Sequence, residues 1–159
     1  MAPADADSLA RFGNNPNIAR NMTDQFPHPY TPEKARAFIG YATQNDPPNI
    51  LAIEVEGQAA GGIGIHPQAD VHRKNAELGY WLAEPYWGQG IITRAITRMV
   101  SYGFEHWDIH RIFARPFGTN IASQRALEKA GFVLEARFEK TIFKNGEYLD
   151  ELVYAIRRP

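Results

Sequence analysis

Cysteine is absent from this chain. That excludes disulfides, thiolate metal sites and covalent catalysis through a cysteine nucleophile. Net charge is nearly absent as well: 17 Lys and Arg stand against 18 Asp and Glu, leaving −1. Such a balance argues against a protein held on nucleic acid or on an anionic membrane by bulk attraction. No apolar run approaches the roughly 20 residues that a membrane helix needs. Met1-Ala2-Pro3-Ala4-Asp5 lacks the basic start and apolar stretch of a signal peptide, so a cytoplasmic location is expected. Among the five histidines, His106 and His110 come closest to a metal-binding spacing, but Trp107-Asp108 between them reads as a helix exit, and no metal is expected.

What is present suits one ordinary domain. A chain of 159 residues with 44% hydrophobic composition can bury a sizeable core. Its organising stretch runs from Ala76 to Ile92. Glu77 to Leu82 carries strand formers, Trp87-Gly88-Gln89-Gly90 is a turn, and Ile92, Ala95, Ile96, Met99, Val100 and Gly103 follow helical spacing. A strand therefore feeds a glycine turn that opens a helix. The first N–H groups of a helix lack internal partners and carry the positive end of its dipole, so anions bind there. Glycines at 88 and 90 remove side chains that would keep a phosphate away.

Two phosphate motifs are excluded by the residues after the turn. The P-loop requires Gly-Lys-Ser/Thr, whereas Gly90 precedes Ile91 and Ile92; the dinucleotide fingerprint requires a third glycine where Thr93 stands.

Elsewhere the chain alternates helix and strand signals without repeats. Asp5 to Phe12 reads as a helix ending at Gly13, and Pro16 suits the first turn of another. Phe26-Pro27-His28-Pro29-Tyr30 reads as a loop. Thr31 caps a helix with Pro32 at its first position and Ala35, Phe38, Ile39 and Ala42 on one face. Ile50 to Val55 and Ala59 to Ile65 form a hairpin turned at Glu56-Gly57, and Gln68 to Asn75 is a polar loop. Arg111 to Arg115 is a strand. A helix starts near Asn120 and ends at Gly131, and Phe132 to Phe143 pairs with Tyr148 to Ile156 through Asn145-Gly146.

Three blocks in this order resemble the GNAT superfamily of N-acetyltransferases, in its RimJ/RimL-like ribosomal-protein N-terminal acetyltransferase branch. They are Ala76-Glu77-Leu78-Gly79-Tyr80-Trp81-Leu82, then Tyr86-Trp87-Gly88-Gln89-Gly90, and Asn120-Ile121-Ala122-Ser123 leading to Leu127-Glu128-Lys129-Ala130-Gly131-Phe132. Weaker similarity extends the resemblance from about Asp5 onward. It implies a single α/β (α+β) domain over residues 1–159: a mixed, mostly antiparallel sheet with helices on both faces, splayed in the middle for acetyl-CoA. Relatives usually begin with a strand before the segment matching Asp5-Ala6-Asp7, so a shortened or missing first strand is expected here.

The resemblance also implies an activity, direct transfer of an acetyl group from acetyl-CoA to a primary amine. The acceptor is a protein N-terminus or a small amine, and the residues leave that choice open. Glu77 takes the place of a general base acting on the amine, often through water, against the plainer reading of a salt-bridged strand glutamate. Ser123 stands near the position of a group that protonates the departing thiolate, against a plain surface serine. Cofactor contact is implied for the backbone at Tyr80, Trp81 and Leu82, for the turn and helix start at Trp87, Gly88, Gln89, Gly90, Ile91, Ile92 and Thr93, and for Asn120, Ser123 and Lys129. Ile92 is bulkier than the family's usual Gly or Ala, which raises the question of which way it faces. His28 and Tyr30 are acceptor-side candidates. A homodimer through Phe132 to Ile156 is a further expectation, and a catalytically silent acyl-CoA-binding module is the competing function.

Overall fold

A computed structural model describes every residue, Met1–Pro159. Short-range chemistry sets most element boundaries. Helix α1 covers Ala6–Gly13. In α2, Pro16–Ala19, the Asn15 side chain accepts from the Asn17 N–H at 2.8 Å. Thr31 does the same for Lys34 at 3.3 Å at the start of α3, Pro32–Ala42, which carries proline in its first turn. Helix α4 spans Ile91–His106. Asn120 caps α5, Ile121–Lys129, by accepting from the Ser123 N–H at 3.2 Å.

Six strands form one sheet in the order β1-β2-β3-β4-β6-β5. They are β1 Ile50–Val55, β2 Gln58–Pro67, β3 Asn75–Leu82, β4 Arg111–Ala114, β5 Val133–Lys144 and β6 Glu147–Arg157. The pairs β1/β2, β4/β6 and β5/β6 are antiparallel, and β3/β4 is parallel. Both tight hairpins have two left-handed central residues, Glu56 and Gly57 (φ 52° and 76°) and Asn145 and Gly146 (φ 50° and 77°), the twist-matching turn anticipated from their sequences. The first strand in the chain is β1, at one edge of the sheet. No helix is long and apolar enough to cross a membrane.

The chain divides into two compact units, residues 1–64 with 80–91, and residues 65–79 with 92–159. In the first, Leu9, Ile18, Tyr30, Ala35, Ile39, Ala59 and Trp81 form a buried cluster. Phe26 meets both Tyr30 and Trp81 edge-on, at ring-centroid distances of 5.3 and 5.6 Å. Glycine is required at 61, because a Cβ there would come within 2.3 Å of the Trp81 carbonyl oxygen.

In the second unit, α4 buries Ile96, Met99, Val100 and Gly103, one stripe at helical spacing. A Cβ on Gly103 would lie 2.4 Å from Ile65 Cδ1 and 3.3 Å from Ile112 Cδ1, so the helix sits close on β2 and β4. Ile65 and Ile112 are fully buried. On α5, Leu127 is fully buried, while the Tyr154 hydroxyl donates to Glu128 Oε1 at 2.8 Å.

Candidate active site

The glycine turn is held rigidly within the first unit. Glu84, just beyond β3, accepts from the Asn17 amide at 3.0 and 2.9 Å and from the Asn15 amide at 3.2 Å. Those amides, Asn17 first, pull its carboxyl below the ordinary value. Tyr86 donates to Glu56 at 3.3 Å and packs edge-on against Phe12. The Trp87 indole N–H donates to the Leu82 carbonyl at 2.7 Å, tying the turn to the end of β3. The Gln89 amide donates to the Pro85 carbonyl at 3.3 Å.

Between these anchors Gly88 and Gly90 both adopt φ 74°, a left-handed conformation that side chains with a Cβ resist. A Cβ at Gly88 would meet nothing within 4 Å. The backbone is therefore fixed in shape yet bare on its outer side. Helix α4 begins at the next residue, Ile91. These are the attributes of an anion cradle built from amides and a helix start. Ile92, one helical turn before buried Ile96, is half-buried. Thr93 is half-buried beside it and Gln89 is exposed.

Strand β3 carries the second feature. Its parallel register with β4 runs from Asn75 opposite Arg111 to Glu77 opposite Phe113. Along β3, Ala76, Leu78 and Leu82 are buried on one face and Trp81 on the other. Glu77 sits where the register with β4 ends. Its carboxylate is held by Arg115, whose Nε donates to Oε1 at 2.8 Å and whose terminal nitrogen donates to Oε2 at 3.2 Å. Glu151 lies 3.9 Å from the same guanidinium. The hydrogen bond from Arg115 to Glu77 is the main cause raising the arginine's pKa above its ordinary value. Of the two readings of Glu77 offered by the sequence, the structure shows the salt-bridged one, at the last residue of the β3/β4 register.

Asn120 and Ser123 are brought together by the cap hydrogen bond, with Ser123 half-buried and Lys129 exposed further along α5. One expectation needs correction. Tyr30 does not offer its ring to an acceptor: it is 4% exposed within the aromatic cluster, and burial pushes its hydroxyl up to about 12. His28 is exposed in the neighbouring loop. The Trp81 ring is 7% exposed and belongs to the core. Leu82 is likewise buried, and its carbonyl is taken by Trp87. Sequence reasoning missed Arg115 as the partner of Glu77 and gave His66 no role; that histidine feels the charge of Glu77.

The chain belongs to the acetyltransferase (GNAT) domain family, which it matches over residues 1–133. It is similar to the uncharacterized N-acetyltransferase YoaA of Bacillus subtilis, with 39% identity over 62% of this chain and 55% of the relative. The putative ribosomal N-acetyltransferase YdaF of the same organism is 33% identical over 64% of this chain and 55% of its own length. The chain thus spans about half the length of these curated relatives. Among solved structures, the microcin C7 self-immunity acetyltransferase MccE, in complex with acetyl-CoA and AMP, superposes with a TM-score of 0.82 at 27% identity, covering 99% of this chain and 89% of that one.

Proposed function

We propose that this chain transfers the acetyl group of acetyl-CoA directly to a primary amine, and that the amine is a protein N-terminus. The observation that carries the proposal is the Gly88 to Ile91 turn, two left-handed glycines with open space outside Gly88 at the start of α4. In a GNAT domain a cradle of this kind suits the pyrophosphate of coenzyme A. Gly88, Gly90 and Ile91 offer backbone N–H groups, while Gln89 and Thr93 add side-chain donors. The solved relative that holds acetyl-CoA supports the choice of ligand. Asn120, Ser123 and Lys129 lie on the third block of the resemblance and are assigned to the pantetheine arm, the thiol and the adenosine phosphate.

Bound acetyl-CoA would supply an activated carbonyl. The chain must supply a neutral amine, a donor for the developing oxyanion and a proton for the leaving thiolate. Backbone N–H groups from Tyr80 to Leu82, beyond the last β3/β4 register pair, are assigned to the oxyanion. Ser123 is assigned to the thiolate. Glu77 is the anionic centre on the amine side and acts on the proton through an intervening group, since Arg115 already occupies both of its oxygens. A cytoplasmic location fits this co-substrate. The name of the YdaF relative favours a ribosomal-protein terminus as acceptor.

Titration calorimetry with acetyl-CoA, followed by a thiol-release assay over peptides with free N-termini, polyamines and amino acids, tests the proposal. Acetyl-CoA binding with release on peptides supports it. Release on small amines alone would replace the acceptor, binding without any release would leave a silent module, and absence of binding would remove the function.

A further inference from the structure

Within the second unit, strand alternation sorts the residues around Glu77 onto two faces. Ile65 of β2 and Ile112 of β4 approach Gly103 of α4, and Ala76, opposite Ile112 in the register, is fully buried with them. Leu78 is buried two residues on. Their neighbours His66 and Glu77 therefore point away from α4. The Gln68 N–H donates to the Asn75 carbonyl at 2.9 Å, which sets the antiparallel register where β2 ends and β3 begins. Counting two residues inward along each strand sets His66 opposite Glu77 on the same face. His66 is half-buried, and the carboxylate of Glu77 acts on it electrostatically.

A row of groups results: His66 on β2, Glu77 on β3, Arg115 after β4 and Glu151 on β6. Arg115 spans Glu77 and Glu151 and holds Glu77 by both oxygens. A carboxylate fixed in this way is better placed to hold a neighbouring imidazole than to receive a proton itself. Burial keeps His66 in its neutral form by pulling its pKa below 6.5, with Glu77 opposing that shift more weakly.

We propose that His66 is the group that accepts the proton of the incoming amine, with Glu77 steadying the imidazolium and Arg115 steadying Glu77. This rests on the acetyltransferase reading and supplies the intervening group that the reading requires. The acceptor arrives as an ammonium ion and gives one proton to the free ring nitrogen of His66. The neutral nitrogen then attacks the thioester carbonyl, a C–N bond forms and the C–S bond breaks. The second proton from nitrogen ends on the departing thiolate, and the imidazolium returns its proton to solvent. One ammonium and one thioester become one amide, one thiol and one released proton. His66 is thus a catalytic residue, and Glu77 and Arg115 are positioning residues.

The test compares His66→Gln and Glu77→Gln in the full chain, by acetyl-CoA calorimetry and by the pH dependence of kcat/KM on the best amine of the panel. We expect both variants to bind acetyl-CoA as the parent does. His66→Gln should lose about a hundredfold in kcat/KM, the usual contribution of a positioned general base. The parent's rate should rise with pH through one ionisation near or below the ordinary imidazole value. Glu77→Gln should keep that ionisation but move it lower, because an anion that favours imidazolium is gone; His66→Gln should abolish it. Added imidazole should partly restore His66→Ala, a readout that does not depend on the glutamine variant folding. If His66→Gln keeps kcat/KM within threefold and the ionisation persists, the proton goes elsewhere and this inference falls while the acetyltransferase stands. If the parent chain neither binds acetyl-CoA nor releases thiol, the functional reading itself falls, and the role of His66 with it.

Discussion

Alanine at Gly88 and alanine at Gly40 add the same methyl group into the same kind of empty space, and the structure predicts effects of opposite sign. Neither Cβ would meet an atom within 4 Å, so packing cancels from the comparison. Gly40 lies exposed in α3, where glycine is inferior to alanine by about 0.5–1 kcal/mol through backbone entropy. Gly40→Ala should therefore stabilise the protein by about that much. Gly88 sits at φ 74°, where an L side chain costs roughly 1–2 kcal/mol. Gly88→Ala should destabilise by about that amount. For a chain of this length each kcal/mol moves Tm by about 2–4 °C, so thermal unfolding should place the two variants on either side of the parent. The turn can relieve its strain only by rotating the Gly88 peptides, and those are the amides assigned to pyrophosphate. Acetyl-CoA affinity should then fall about tenfold in Gly88→Ala, the equivalent of roughly 1.4 kcal/mol, and stay unchanged in Gly40→Ala. Two stabilised variants, or equal affinity in both, would refute the assignment of a strained, ligand-facing turn.

Other outcomes rest on single contacts. Trp87→Phe keeps the ring and deletes the N–H that reaches the Leu82 carbonyl at 2.7 Å; chemical denaturation should report a loss of about 1 kcal/mol, together with weaker acetyl-CoA binding as the turn loosens. Asn120→Asp retains a cap for α5 and Asn120→Ala removes it at a cost of about 1 kcal/mol. If the asparagine also contacts the pantetheine arm, calorimetry should show both variants binding acetyl-CoA more weakly, although only the alanine melts earlier. Glu84 is an anion whose folded-state pKa is depressed by Asn17 and Asn15. Its contribution is full above the unfolded carboxyl value of about 4.3 and is lost as pH falls through the lower folded value. Thermal midpoints of Glu84→Gln and the parent should therefore differ near neutrality and converge in acid; a difference that persists at low pH would count against this coupling.

Most of the fold was legible because its signals are local. The caps at Asn15, Thr31 and Asn120 and the turns at Glu56-Gly57 and Asn145-Gly146 each involve residues within a few positions of one another, and each forms as its sequence requires. The glycine turn was legible for the same reason, since positive φ at 88 and 90 is a property of two residues. Aromatic residues were harder to read. A ring in a strand packs or projects according to what covers its face, and Trp81 joins the core because Phe26 and Tyr30, distant in the sequence, pack against it.

Long-range partners decide what Glu77 can do, and these the sequence withholds. Arg115 lies thirty-eight positions away in the chain and reaches Glu77 only because β3 and β4 run parallel with Glu77 opposite Phe113. His66 reaches it only through the start of the β2 and β3 ladder at Gln68 and Asn75. A slip of one residue in either register would send Glu77 toward α4, into the space that Ala76 and Leu78 fill, where a charge would go unpaired at a cost of several kcal/mol. The same hydrophobic alternation that locks the register thus also selects which charged groups share a face. In this chain the core residues Ile65, Ala76, Leu78 and Ile112 are what assemble the row from His66 to Glu151.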